Sequence, residues 1–167
     1  GESIDEARRA WESDSLFAFS GTEYMLTLIY GRRLDSATAL LPRVRAVLSP
    51  VDGDRVEGLL LVARGDWRSA APLLDWRWYG GAVAGAYVRA LLARGDTLGA
   101  RATVDSMLAA RASGYYNAVA LARAYTVLGD LDRGFEWLQR AFEERTGFVA
   151  LYVPWDDDLA PLRADPR

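Results

Sequence analysis

Leu121-Ala122-Arg123-Ala124-Tyr125-Thr126-Val127-Leu128-Gly129-Asp130-Leu131-Asp132-Arg133-Gly134-Phe135-Glu136-Trp137-Leu138-Gln139-Arg140-Ala141 reads as two helices joined by a Gly-Asp turn. Past the turn, Leu131, Phe135, Leu138 and Phe142 keep the 3, 4 rhythm of an amphipathic helix. Asp130 stands where a carboxylate accepts free backbone N–H groups and favours the helix dipole. Working outward, the same punctuation recurs at Arg94-Gly95, Arg64-Gly65 and Tyr30-Gly31, with glycine spacings of 34, 30 and 34 residues. Asp follows the last three glycines (Asp66, Asp96, Asp130), and a small residue stands five positions beyond each: Ser36, Ala70, Ala100 and Gly134. The spacing predicts an all-α chain of antiparallel helix pairs.

With the turn glycine set at position 15, units begin at Phe17, Val51, Gly81 and Tyr115. In the last, Leu121, Ala122, Tyr125, Gly134, Leu138 and Ala141 fall at positions 7, 8, 11, 20, 24 and 27. In the third, Tyr87, Val88, Leu91, Ala100, Val104 and Met107 fill these slots. Small residues at 8 and 20 let paired helices approach closely, and large ones at 11 and 24 fill the space beside them. On these residues and this period, positions 17–146 resemble the tetratricopeptide repeat family. The first two units fit less closely, and position 4 nowhere carries the family's frequent Trp. The end of the chain is similar to the C-terminal tetratricopeptide regions of bacterial multidomain regulatory proteins. The resemblance implies a right-handed α-solenoid: a leading helix at 2–14, repeats at 17–50, 51–80, 81–114 and 115–148, and a cap at 149–167.

The missing four residues of the second period predict a shortened second helix there, with Trp76 or Trp78 buried at the junction. Pro42 and Pro72 fall inside second helices, so kinks or early ends are expected. Terminal repeats otherwise expose core, so Phe148, Leu151, Tyr152 and Trp155 are expected to cover the last one.

Composition narrows the function. The 167 residues carry a net charge of −3 without a basic tail, which argues against nucleic acid as partner. All positive residues are Arg and Asn and Gln occur once each, the bias of a GC-rich, bacterial genome. There is neither Cys nor His, which removes a disulfide framework, the usual general base and the commonest metal ligand. The apolar run 81–93 is broken by Arg89 and is too short to span a bilayer. No signal peptide is visible. The chain begins at Gly1 rather than Met, as a processed or excised piece would, and the compartment stays open with the cytoplasm as default.

No catalytic or metal constellation emerges, and no cofactor is implied. Asp156-Asp157-Asp158 lacks the Gly-centred spacing of a calcium loop and reads as a solvated helix start. Gly80-Gly81 with Gly85 has no preceding strand and no following Lys, so it turns a repeat junction rather than cradling phosphate. The family's ligand side is lined by first-helix positions 2, 5, 9, 12 and 13. Transferred by register, the resemblance implies a partner-binding groove of Met25, Leu28, Arg55, Leu59, Arg89, Leu92, Tyr116 and Arg123, flanked by Ile29, Val62 and Val127. Arg55, Arg89 and Arg123 would then face one side, accessible, over apolar ground. Such a row suits an acidic peptide or a free C-terminus. The implied function is a non-enzymatic protein- or peptide-binding scaffold within a larger regulatory or assembly protein. The alternative is a structural or oligomerisation module whose groove is filled by its own or a neighbouring chain, with 148–153 as the natural plug. The alternative reading of the arginines is as internal salt-bridge partners of Asp and Glu.

Overall fold

The structure, a computed structural model, describes residues 2–77, 83–114, 117–145, 153 and 156–166. Among them every regular element is helical: α1 Glu2–Ser13, α2 Ala18–Tyr30, α3 Leu34–Arg45, α4 Pro50–Ala63, α5 Trp67–Ala70 with a 3-10 turn at Ala71–Leu73, α6 Ala84–Ala93, α7 Thr97–Ala112, α8 Ala118–Val127, α9 Leu131–Glu143, a 3-10 turn at Asp157–Leu159, and α10 Ala160–Ala164. The chain divides into two compact units, Gly1–Leu74 and Asp75–Arg167. The division falls where the glycine spacing drops to 30.

Local chemistry makes the hairpins. Gly65, Gly95 and Gly129 have φ near +82 to +84°, in the left-handed region that glycine enters without strain. At each, the glycine N–H donates to the carbonyl three residues back, and the following Asp N–H donates to the carbonyl five back: Gly65 to Val62 and Asp66 to Leu61, both at 2.9 Å. That pattern satisfies the last carbonyls of the first helix. The same Asp then caps the next helix, its carboxylate accepting from Ser69 N (3.2 Å), Gly99 N (2.8 Å) or Arg133 N (3.1 Å). One Gly-Asp pair therefore ends one helix and starts the next.

The first hairpin uses the same geometry one residue later. Arg32, with φ 56°, takes the left-handed position, and Gly31 stays at φ −75°. Arg32 N donates to Ile29 O (3.1 Å) and Arg33 N to Leu28 O (2.8 Å), matching the glycine turns. Gly31 answers a different need. A Cβ there would lie 3.0 Å from Thr27 O and 3.1 Å from Ile4 Cδ1 on α1. The register of the first repeat thus moves by one, and its small residue five beyond the turn is the buried Ala37, not the exposed Ser36. Ala37, Ala70 and Ala100 are fully buried, and Gly134 lies buried at the equivalent place.

In the first unit α1 packs on α2, α2 on α3 and α4, α3 on α4, and α4 on α5. The Trp11 indole sits so close over Gly21 that a Cβ there would be 2.8 Å from the ring. The second helix of the second pair is cut to four residues and a 3-10 turn containing Pro72, as its sequence predicts. Pro42 lies inside α3, which ends three residues later.

In the second unit α6 packs on α7 and α8, and α8 on α7 and α9. Trp76 is buried in this unit's core beside Ala84, Val88 and Met107, with the Arg77 guanidinium 4.0 Å from its ring centroid. Gly134 lets α9 close on α8: a Cβ would lie 2.7 Å from Thr126 Oγ1. The buried face of α9 is Gly134, Trp137 and Ala141, while Phe142, expected inside, is half exposed. Trp78, Phe148, Leu151, Tyr152 and Trp155 lie outside the described residues. Among the described ones, Leu159 and Leu162 enter the core and Val153 packs against it.

Candidate functional site

Arg89 projects from α6 and Arg123 from α8, two packed first helices of the second unit. Residues 156–159 lie against this face. Arg89 donates to Asp158 Oδ1 through Nε (3.2 Å) and Nη2 (2.7 Å), and Arg123 Nε donates to Asp156 Oδ2. Gly85, one turn before Arg89, leaves room for the Asp158 carboxylate, which any Cβ at that position would overlap. Asp156 Oδ1 also accepts from Asp158 N at 2.9 Å, folding the segment into a tight turn. Arg163 Nη1 closes it from outside by donating to Val153 O (2.8 Å) and Asp156 O (2.7 Å). Leu159, with no exposed surface, follows the acidic turn into the core of this unit beside α8.

The electrostatics are those of a desolvated site. The Arg123 side chain keeps only 9% of its surface, Asp156 13% and Asp158 15%, while Arg89 keeps 36%. Burial, reinforced by the neighbouring Asp156 charge, pushes the Asp158 carboxyl above the usual carboxylate range, and Arg89 only partly offsets this. The expected solvated helix start is thus corrected for Asp156 and Asp158, which are enclosed by α6 and α8. Asp157 alone is exposed.

The residues of the implied groove separate into three groups. Met25 (0% exposed) and Leu28 (2%) are core residues of the first unit. Leu59 is buried as well, so these three line no open surface. Arg55 is partly exposed and pairs with Asp52 at 3.3 Å within α4, and Leu92 is partly buried against the second unit's core. Arg89 and Arg123 come together, but on a carboxylate-bearing segment rather than on solvent. Tyr116 lies outside the described residues. The sequence marks Asp156 and Asp158 only as an acidic run near the end of the chain and Gly85 only as part of a glycine-rich junction, so their meeting with Arg89 and Arg123 is not legible from it.

An open cleft of about 610 Å³ elsewhere in this unit is lined by Arg101, Asp105, Asp130 and Arg133 around Tyr125, with charges of both signs. Among the described residues no cluster of three acidic side chains is placed to hold a metal ion, and no helix is long and apolar enough to cross a membrane. No protein-family model, curated protein or solved structure matches the chain.

Proposed function

We infer that the chain is a non-enzymatic scaffold of the tetratricopeptide kind, whose α6–α8 face binds an acidic segment of a partner protein. The supporting observation is the contact between that face and residues 156–159: two arginines on adjacent first helices each engage a carboxylate of one peptide segment. Charge-assisted Arg–carboxylate bonds are short and directional, which suits recognition of a carboxylate-bearing segment. The hairpin period supports the solenoid reading, in which first helices line the ligand side.

A peptide array tests the function. Acidic peptides should be retained over neutral and basic ones, and Arg89→Gln should weaken retention while leaving the circular dichroism spectrum unchanged. Retention without preference for acidic sequences, unaffected by that substitution, would overturn the reading. A second reading draws on the same contact: the segment belongs permanently to the fold, and the chain is a structural module whose face is filled by itself. Such a module would retain no peptide, even with its own aspartates neutralised.

A further inference from the structure

Resting on that reading, we propose that Gly85, Arg89 and Arg123 form a receptor for an Asp-x-Asp-Leu segment, held in cis by Asp156, Asp158 and Leu159, so that a partner carrying such a segment binds in competition with the chain's own. Three independent features define the ligand. Arg123 and Arg89 fix two carboxylates two positions apart, at Asp156 and Asp158. Asp157 between them is exposed, so the middle position is unrestricted. Leu159 is completely buried, so the fourth position must be apolar. Gly85 adds a steric condition, since only a glycine admits the second carboxylate this close to α6.

The cis ligand is an imperfect one. Its hold is one-sided: Arg89 keeps 36% of its side-chain surface and Asp157 is exposed, so one flank of the turn stays open to water. A segment held this way is a self-ligand that a partner can replace, provided the partner also supplies the apolar residue. Removing the cis carboxylates should then raise affinity for an external copy, because occupancy of the competent site by its own segment lowers apparent affinity in proportion.

The test is a fluorescence-anisotropy titration of a labelled peptide, Asp-Asp-Asp-Leu-Ala-Pro-Leu-Arg-Ala-Asp, copied from residues 156–165, onto the full chain. The Asp156→Asn/Asp158→Asn chain should bind it about tenfold or more tighter than the unmodified chain, as expected when cis occupancy is about 90%. Adding Arg89→Gln and Arg123→Gln should cancel the gain. A peptide with Asn at its first and third positions should not bind. Equal affinity for both chains, with the arginine substitutions weakening both, overturns cis competition and leaves the acidic-peptide scaffold standing. Absence of binding to every folded chain overturns both. Should the double variant lose helicity, Asp158→Asn alone, which keeps the shape of the side chain, is judged by the same titration. A folded single variant without any gain in affinity overturns the proposal.

Discussion

Arg32 and Gly65 perform the same backbone task with opposite conformational costs. Arg32 carries a side chain at φ 56°, whereas Gly65 sits at φ +82° with open space around the position of a missing Cβ. Arg32→Gly relieves that strain at the loss of the long Arg32 Nη1–Ala63 O hydrogen bond (3.4 Å) and should stabilise the chain by about 0.5–1 kcal/mol, while Gly65→Ala should destabilise it by about 1 kcal/mol. Urea unfolding midpoints at equal m-values would check both. At Asp158 the sign of a pH effect follows from its raised pKa. The folded chain keeps that proton to a higher pH than the unfolded chain. Its contribution to stability is present in full below the unfolded pKa and is lost as pH rises through the folded pKa. The groups facing it are Asp156, Arg89 and Arg123. Measured against Asp158→Asn between about pH 4 and 8, the unmodified chain should be relatively most stable at the acidic end and lose ground toward neutrality. A flat or reversed difference would mean that the arginines outweigh burial.

Helix pairs repeat here because a Gly-Asp dipeptide carries both halves of the turn, and the first pair shows what happens when the dipeptide is absent. Arg33 occupies the place of Asp66, Asp96 and Asp130 but caps α3 with no side-chain hydrogen bond. Arg33→Asp should restore the cap and add about 1 kcal/mol, while Asp96→Ala or Asp130→Ala should each remove about that much. Thermal unfolding of the three variants would rank them, and an unchanged Asp96→Ala midpoint would show that α7 does not depend on its cap. The same comparison explains what could be read beforehand. The helix pairs, the truncated α5 and the burial of Trp76 were legible because glycine conformation, capping and missing residues act over a few positions. By sequence the first turn falls on Gly31, whereas the structure puts the left-handed residue at Arg32 and leaves Gly31 tight against Thr27 O and Ile4 of α1. A close approach by a distant side chain leaves no mark on local periodicity. Arg89 and Arg123 were legible as a pair by register. Their partners were not, since Asp158 lies 69 residues from Arg89 and outside any repeat.

Across the whole molecule the acidic turn and the leucines behind it make opposite demands. The second unit's core includes Leu159 and Leu162, at 0% and 4% exposure, so the end of the chain completes an interior that the repeats leave open. The carboxylates just before them are held at an electrostatic cost. The two parts should therefore separate on mutation. Leu159→Ala removes a fully buried side chain and should cost about 2–5 kcal/mol. Asp156→Asn/Asp158→Asn keeps volume, turns one acceptor oxygen of each residue into an amide donor, and removes two like charges together with their attraction to Arg89 and Arg123. Its effect should be well below that of Leu159→Ala. Ending the chain after Arg145 removes both leucines and leaves Arg123 without Asp156. It should cost at least as much as Leu159→Ala, and it exposes apolar surface on α6, α8 and α9, so aggregation should accompany the lower melting temperature. Calorimetry combined with light scattering reads both effects. If the shortened chain melted with the full one and stayed monomeric, the terminal segment would be a ligand for the face without being part of the core. The stability difference between Leu159→Ala and the aspartate variant would then vanish as well.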